Sequence, residues 1–137
     1  MRALVRETLE GCVKRNLIPA DTASLADTDM VCRFLLSPLG KRMLSSPRTE
    51  REWSFCLRVT EPVNTTVQGI IDLCFLENGR WTLVDFKTDR VSAADRLWKE
   101  YEPQIGIYRA ALEQLTEYPV GECVLYSLRL GEASVRK

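Results

Sequence analysis

The sequence predicts an α/β fold in which helices lead into an antiparallel meander, completed by one more helix and one more strand. Apolar residues recur at helical spacing over residues 1–48, and from Trp53 onward the period changes to two. The Asn78-Gly79 pair then separates two strand-like runs, which is typical of a two-residue hairpin turn. We therefore expect a single domain, with a helical lead-in over 1–48 and a core over 49–137.

The composition is that of an ordinary globular domain, with 45% hydrophobic and 28% charged residues. The 19 Lys and Arg residues balance the 19 Asp and Glu residues, which disfavours a stand-alone DNA-binding module. The 5 cysteines include no CxxC pair and predict a reducing, cytoplasmic setting rather than a zinc site. Because the chain contains no histidine, any metal ion must be held mainly by oxygen, which favours Mg²⁺, Mn²⁺ or Ca²⁺.

The lead-in predicts three helices. Arg2–Asn16 carries apolar residues at helical spacing and reads as an amphipathic helix. Ser24 with Asp27 forms a capping-box pattern that opens a second helix. The buried face of that second helix should comprise Met30, Val31, Phe34 and Leu35. Ser37-Pro38 has the pattern of an N-cap followed by proline at the first position of a short third helix.

The core predicts four strands. Apolar and polar residues alternate from Trp53 to Val59, which indicates a half-buried strand. The hairpin should pair Thr66–Glu77 with Arg80–Thr88 across the Asn-Gly turn. Alternation returns over Glu122–Leu130 and predicts the last strand of the sheet.

One helix is predicted between the hairpin and the last strand. Ser92 with Asp95 gives a capping-box pattern at its start, and Pro103 should interrupt it. Gln104 and Tyr108 lie four residues apart in the part that follows Pro103. They therefore share one helix face and can reach the same site.

Two carboxylates should meet across the predicted hairpin. Pairing Glu77 with Arg80 at the turn places Asp72 directly opposite Asp85, where like charges repel. A fold gains no stability from this arrangement unless a cation lies between the two groups. Lys87 follows Asp85 by two residues and projects from the same face of the strand. Two aspartates and a lysine at one place predict a metal-dependent hydrolytic site.

Several of these residues also have simpler structural explanations. Lys87 taken alone is a common kind of salt-bridge partner, and Glu52 either supplements a metal site or caps a strand. The basic residues of the lead-in form a solvated face more often than a phosphate contact. Those residues are Lys41, Arg42 and Arg48. The three tryptophans, expected to pack rather than to stack on bases, are Trp53, Trp81 and Trp98.

The motifs Gly69–Asp72 (GIID) and Val84–Asp89 (VDFKTD), followed by Gln104 and Tyr108, resemble the RecB-like nucleases of the PD-(D/E)XK superfamily. The resemblance is closer to the C-terminal nuclease domains of AddA-type helicase-nucleases. Motifs of three kinds in the right order are specific, whereas the DxK triplet alone is weak. The segments similar to that family's lead-in to the core are Ser37–Arg42 (SPLGKR) and Arg51–Phe55 (REWSF).

The resemblance implies a restriction-endonuclease-like core, which is a central mixed sheet flanked by helices. It also implies a deoxyribonuclease that depends on Mg²⁺, with Mn²⁺ as an alternative ion. The implied roles are metal ligation by Asp72, Asp85 and the backbone carbonyl of Phe86, catalysis by Lys87, and DNA contact beside the active site by the QxxxY residues Gln104 and Tyr108.

The same resemblance implies a larger parent protein. Its family couples an ATP-dependent helicase to the nuclease, processes DNA double-strand breaks for recombinational repair, and works with a second, AddB-like subunit. This chain has no Walker A pattern, so we interpret it as one piece of such a protein. The family's metal-ligating histidine is also missing, and it either lies upstream of Met1 or is absent altogether.

Two classes of function follow from these observations. Intact Asp72, Asp85 and Lys87 favour a DNA nuclease domain. The absent histidine and the zero net charge favour a module that no longer cleaves and serves as a DNA-binding or subunit-docking scaffold. We expect the chain on its own to fold but to show weak or no nuclease activity.

Overall fold

A computed structural model of the chain describes residues 28–60 and 62–137. The predicted helix over Arg2–Asn16 and the capping box of Ser24 and Asp27 lie outside the described residues. None of the described helices is long and apolar enough to cross a membrane.

The described chain forms three α-helices, a short 3-10 helix and five strands. The helices are α1 (Thr28–Leu36), α2 (Pro38–Leu44), the 3-10 helix (Ala94–Leu97) and α3 (Trp98–Leu115). The strands are β1 (Thr49–Val59), β2 (Thr65–Glu77), β3 (Arg80–Lys87), β4 (Val120–Ser127) and β5 (Glu132–Arg136). This α+β arrangement confirms the predicted fold class.

All five strands belong to one mixed sheet in the order β1-β2-β3-β4-β5. The strands β1, β2 and β3 form the predicted antiparallel meander, β4 lies parallel to β3, and β5 returns antiparallel to β4. At the hairpin turn Asn78 and Gly79 both have positive φ, at 52° and 74°. This backbone produces the predicted register, in which Glu77 pairs with Arg80.

The sheet separates two hydrophobic clusters. One cluster joins the sheet to α3 and contains Trp81, Leu83, Ile105 and Leu112 among its buried members. The other joins the opposite face to α1 and α2 through Phe34, Leu39, Phe75, Val84 and Tyr126. Helices cover both faces of the sheet. The strand ends are therefore among the few places where the middle of the sheet can be exposed to solvent.

The helical lead-in follows the sequence prediction where it is described. Val31, Phe34 and Leu35 of α1 are buried, as the helical spacing predicts. Ser37 is the N-cap of α2, and its Oγ accepts a hydrogen bond from the Gly40 N–H at 3.1 Å. The tight turn depends on Gly40, because a Cβ there would overlap the Phe34 carbonyl.

The prediction for the next helix is wrong in two respects. Pro103 does not interrupt α3, which is continuous from Trp98 to Leu115. Proline lies near the start of the helix and is exposed, so water can hydrate the backbone carbonyl that loses its partner. Ser92 forms no capping box either, since Ala93 precedes the 3-10 helix and the Ala94 N–H donates to Glu132 Oε1 at 3.3 Å.

The last strand also differs from the prediction. The alternation over Glu122–Leu130 corresponds to β4, which begins at Val120 and ends at Ser127. The chain then turns at Gly131, whose φ is 63°, and adds β5 as an edge strand that sequence reasoning missed. Most of β5 is exposed, so its residues carry little of the apolar periodicity that would have indicated a strand.

Candidate active site

The two predicted carboxylates lie at the open end of the β2–β3 hairpin. Regular pairing of the strands ends at Leu73 and Val84, one residue before Asp72 and Asp85. Beyond that point the Phe86 N–H donates to a side chain instead of to the backbone of β2. Its acceptor is Asp72 Oδ2, at 3.0 Å. The Asp72 and Asp85 carboxylates still lie close enough to interact directly.

A local distortion of the sheet accompanies this opening. Ile71 and Cys74 both belong to the cluster under α3, although strict alternation would place them on opposite faces of β2. Across from this break, Glu52 of β1 has a positive φ of 47° and lies between the pairs Arg51–Leu73 and Trp53–Ile71. The side chain of Glu52 is exposed.

Burial and mutual repulsion shape the electrostatics of the aspartates. Asp85 is only 4% exposed. Burial, followed by the negative charge of Asp85, raises the pKa of Asp72 to about 7, while the Phe86 N–H and Lys87 act in the opposite direction. The carboxylate pair therefore favours any cation that can share both groups.

Lys87 is held close to the aspartates by partners on two elements. Its Nζ lies 2.7 Å from Asp85 Oδ2 and donates a hydrogen bond to Gln104 Oε1 of α3 at 3.0 Å. The side chain is 14% exposed. Asp85 Oδ2 is buried, and among the described residues the Lys87 ammonium group is the partner it has. That oxygen retains an unused acceptor position.

The remaining predicted residues continue the same chain of contacts. Gln104 Nε2 donates to the Tyr108 hydroxyl at 3.1 Å, and the Tyr108 ring packs edge-on against Phe55 of β1 at 5.6 Å. Gly69 permits this close approach, since a Cβ there would lie 2.7 Å from Phe55 and 3.3 Å from Tyr108. The structure thus brings Asp72, Asp85, Lys87, Gln104 and Tyr108 into one connected group.

The carboxylates of Asp72 and Asp85 provide oxygen donors for a divalent metal ion, but they are only two. Within the described residues no group of three or more His, Cys, Asp and Glu side chains could hold a metal. Mg²⁺ needs only one or two protein carboxylates, because water and substrate phosphate complete its octahedron. Asp72 and Asp85 supply that number of carboxylates.

Two residues beside the site were not assigned to it by sequence reasoning. The ring of Tyr101 lies 3.7 Å from Lys87 Nζ, and its hydroxyl donates to Asp89 Oδ2 at 2.7 Å. Tyr101, Gln104 and Tyr108 are spaced by three and four residues, so they form a single stripe along α3. This spacing in the sequence indicates that Tyr101 shares a helix face with Gln104 and Tyr108. It does so only if the helix continues through Pro103, where an interruption was predicted.

The other candidates have structural partners elsewhere. Arg42 pairs with Glu77 at 2.5 Å and with Glu122 at 3.0 Å, and Arg48 pairs with Glu50 at 3.2 Å. These acidic partners neutralise much of the predicted basic face. Trp81 and Trp98 are buried, at 0% and 3% exposure, and pack in the core as predicted.

Comparison with known proteins identifies the family. A model of the PD-(D/E)XK nuclease superfamily matches residues 2–136. The chain belongs to this superfamily. PD-(D/E)XK nucleases generally use divalent metals, in agreement with the oxygen donors at the hairpin end.

The chain is also similar to curated AddA proteins, which are ATP-dependent helicase/nuclease components. The relative from Anoxybacillus flavithermus is 34% identical over 128 residues, which cover 90% of this chain and 11% of the relative. The relative from Clostridium acetobutylicum is 30% identical over 142 residues, covering 93% of this chain and 11% of the relative. The relative from Carboxydothermus hydrogenoformans is 34% identical over 140 residues, covering 93% of this chain and 12% of the relative. The chain therefore spans about a tenth of the length of these PD-(D/E)XK relatives.

Proposed function

We propose that the chain is the metal-dependent DNA nuclease domain of an AddA-type helicase-nuclease. One observation carries this proposal. Two carboxylates, Asp85 with a buried Oδ2 and Asp72 with a raised pKa, share the single positive charge of Lys87. Burying two negative charges against one positive charge is costly in a protein interior, and a bound cation would remove the cost.

Asp72 and Asp85 would hold the metal, with the backbone carbonyl of Phe86 as a third ligand. Mg²⁺ is the expected ion, with Mn²⁺ as the alternative, because all three donors are oxygen atoms. When bound, the metal supplies an activated water and neutralises negative charge on the scissile phosphate.

Lys87 acts on the same phosphate. Its ammonium group, held by Asp85 and Gln104, would stabilise the negative charge that builds on the phosphoryl oxygens. Gln104 and Tyr108 form the edge of the site on α3, where they contact the DNA backbone and hold it against the strand ends. Each of these roles requires a fixed geometry, which the hydrogen bond between Gln104 and Tyr108 helps to provide.

The wider setting follows from the relatives. We propose that the parent protein is a cytoplasmic DNA repair enzyme that combines ATP-driven unwinding with cleavage and assembles with a second, AddB-like subunit. In that protein the lead-in over 1–48 would join the nuclease core over 49–137 to the preceding parts.

A scaffold without catalytic activity is the second candidate. The observation in its favour is the balance of 19 basic and 19 acidic residues, together with the absence of histidine. Such a module would keep the fold and its DNA-facing edge without binding a metal ion.

Metal binding separates the two candidates. We expect Mg²⁺ or Mn²⁺ to raise the melting temperature of the chain, because a ligand that binds only the native state stabilises it. Asp85→Asn should abolish this rise. Asp95→Asn is the matched control, since Asp95 is an exposed aspartate whose Oδ1 accepts from Ser134 and lies away from the carboxylate pair. An equal metal response in the wild type and Asp85→Asn would contradict the proposal and favour the scaffold.

A further inference from the structure

The ammonium group of Lys87 has a partner on each of three sides. Two are oxygen atoms, Asp85 Oδ2 at 2.7 Å and Gln104 Oε1 at 3.0 Å. The third is the face of the Tyr101 ring, whose centroid lies 3.7 Å from Nζ. An ammonium group has three hydrogens to direct, and these three partners match that number.

An aromatic face suits this position better than a third oxygen would. Lysine carries its charge on a stem with four flexible bonds, so its position must be imposed by its surroundings. The negative face of an aromatic ring attracts a cation without accepting a directed hydrogen bond, and the attraction strengthens where water is excluded. With Lys87 only 14% exposed, the ring also shields the ammonium group from solvent.

The ring is itself held from both ends. Tyr101 lies on α3 one turn before Gln104, and its hydroxyl donates to Asp89 Oδ2 at 2.7 Å. Asp89 follows Lys87 by two residues, so the hydroxyl bond ties the ring to the segment that leaves β3. That bond also raises the pKa of Tyr101 to about 12, because it stabilises the protonated phenol.

We propose that Tyr101 is a positioning residue for Lys87, in which the ring face fixes the ammonium group and the hydroxyl bond to Asp89 fixes the ring. The catalytic part of this inference rests on the proposed nuclease function, because Lys87 needs a fixed position only if it acts on substrate. The physical coupling between Tyr101 and Lys87 does not depend on that function.

A double-mutant cycle tests the coupling in metal-free protein. The variants are Tyr101→Leu, Lys87→Met and their combination, compared with wild type by urea unfolding. We expect the double variant to lose less stability than the two single losses combined, by about two- to tenfold in the unfolding equilibrium constant. The matched control is Tyr118→Leu, since Tyr118 packs on Trp81 in the same cluster and should combine additively with Lys87→Met.

Ring electrostatics can be separated from packing at the same position. Tyr101→Phe keeps the ring face but loses the hydroxyl bond to Asp89, so it should retain part of the coupling to Lys87. Trifluorophenylalanine at position 101 keeps the shape of that ring but weakens its negative face. We expect the fluorinated ring to lose most of the coupling. Because neither replacement opens a cavity, these two variants decide the question even if Tyr101→Leu does not fold. Equal coupling for the two rings, or additivity throughout the cycle, would overturn the proposal.

Cleavage kinetics then test the role in the reaction. In protein that cleaves DNA, Tyr101→Leu should lower kcat at least tenfold with little change in KM, and Tyr101→Phe should restore part of the rate, since it keeps the ring but not the bond to Asp89. Unchanged kcat in Tyr101→Leu would overturn the positioning role. Failure of wild-type protein to cleave DNA would count against the proposed function alone, and the unfolding cycle would still decide whether Tyr101 holds Lys87.

Discussion

At the scale of single residues, the site is defined by polar groups that the fold brings together at a cost. Asp72 and Asp85 repel one another, and both are removed from water in large part. Lys87 offsets part of this cost, since its Nζ lies 2.7 Å from Asp85. Low exposure and three partners make Lys87 part of the packed structure as well as of the candidate site.

The raised pKa of Asp72 gives the metal-free fold a characteristic pH dependence. A carboxyl group whose pKa is higher in the native state favours folding at low pH, and this contribution disappears as pH rises through the native value. For Asp72 the window runs from 3.8 in the unfolded chain to about 7 in the folded protein.

Asp72→Asn should therefore stabilise the metal-free protein above neutral pH. The amide remains neutral and its oxygen can still accept the Phe86 N–H, so the variant avoids the repulsion that ionised Asp72 suffers. Unfolding in urea with chelator should show a gain on the order of 2 kcal/mol at about pH 8 and a much smaller gain at about pH 5. With Mg²⁺ present the order should reverse, because only the wild type binds the ion. A gain that is equal at both pH values would contradict this assignment.

At the scale of elements, the site depends on how closely β1, β2 and α3 approach one another. Gly69 in β2 has the rings of Phe55 and Tyr108 against its backbone, and α3 reaches the strand ends through Gln104. The hairpin carries the carboxylates, while α3 supplies the side chains that fix Lys87. Neither element forms the site by itself.

Gly69→Ala should disturb this contact. The added methyl group would lie 2.7 Å from the Phe55 ring, so one or both rings must shift, at a cost of about 1–3 kcal/mol in unfolding free energy. Gly106→Ala is the matched control, because Gly106 lies on the exposed side of α3 with no atom near its missing Cβ. It should stabilise the protein by up to about 1 kcal/mol. Similar effects of the two substitutions would show that Gly69 is not a close-packing position.

At the scale of the whole molecule, the zero net charge is compatible with folding but provides little attraction for DNA. The chain has no net charge, so it gains little from the counterion release that drives most nonspecific DNA affinity. Basic residues that could have formed a patch are paired instead, as Arg42 is with Glu77 and Glu122. Under the proposed function, the rest of the helicase-nuclease would deliver DNA to the site.

The 137-residue chain alone should therefore bind duplex DNA weakly and cleave it slowly or not at all. Fluorescence anisotropy with a labelled duplex should give a Kd of about 100 µM or weaker at physiological salt. A longer parent protein should cleave with the same Asp85→Asn sensitivity and at a much higher rate. Efficient cleavage by the chain alone would show that its own residues suffice for DNA capture.

The sequence alone determined the hairpin and the central residues of the site. The Asn78-Gly79 turn is local, because its backbone demands positive φ at two adjacent residues and thereby sets the register of both strands. From that register the neighbouring positions of Asp72 and Asp85 followed without any tertiary information. Ser37 capping α2 was predictable for the same reason, since a cap acts within one turn of helix.

Only the tertiary structure decided what surrounds those residues. The continuity of α3 through Pro103, the edge strand β5 and the three-sided enclosure of Lys87 each depend on contacts between segments distant in sequence. An exposed proline can be accommodated when the rest of a helix packs on a sheet, and an exposed edge strand forms because a partner strand is already there. Local patterns could place Tyr101 on a helix face, but only the packing of α3 against β3 brings its ring to Lys87.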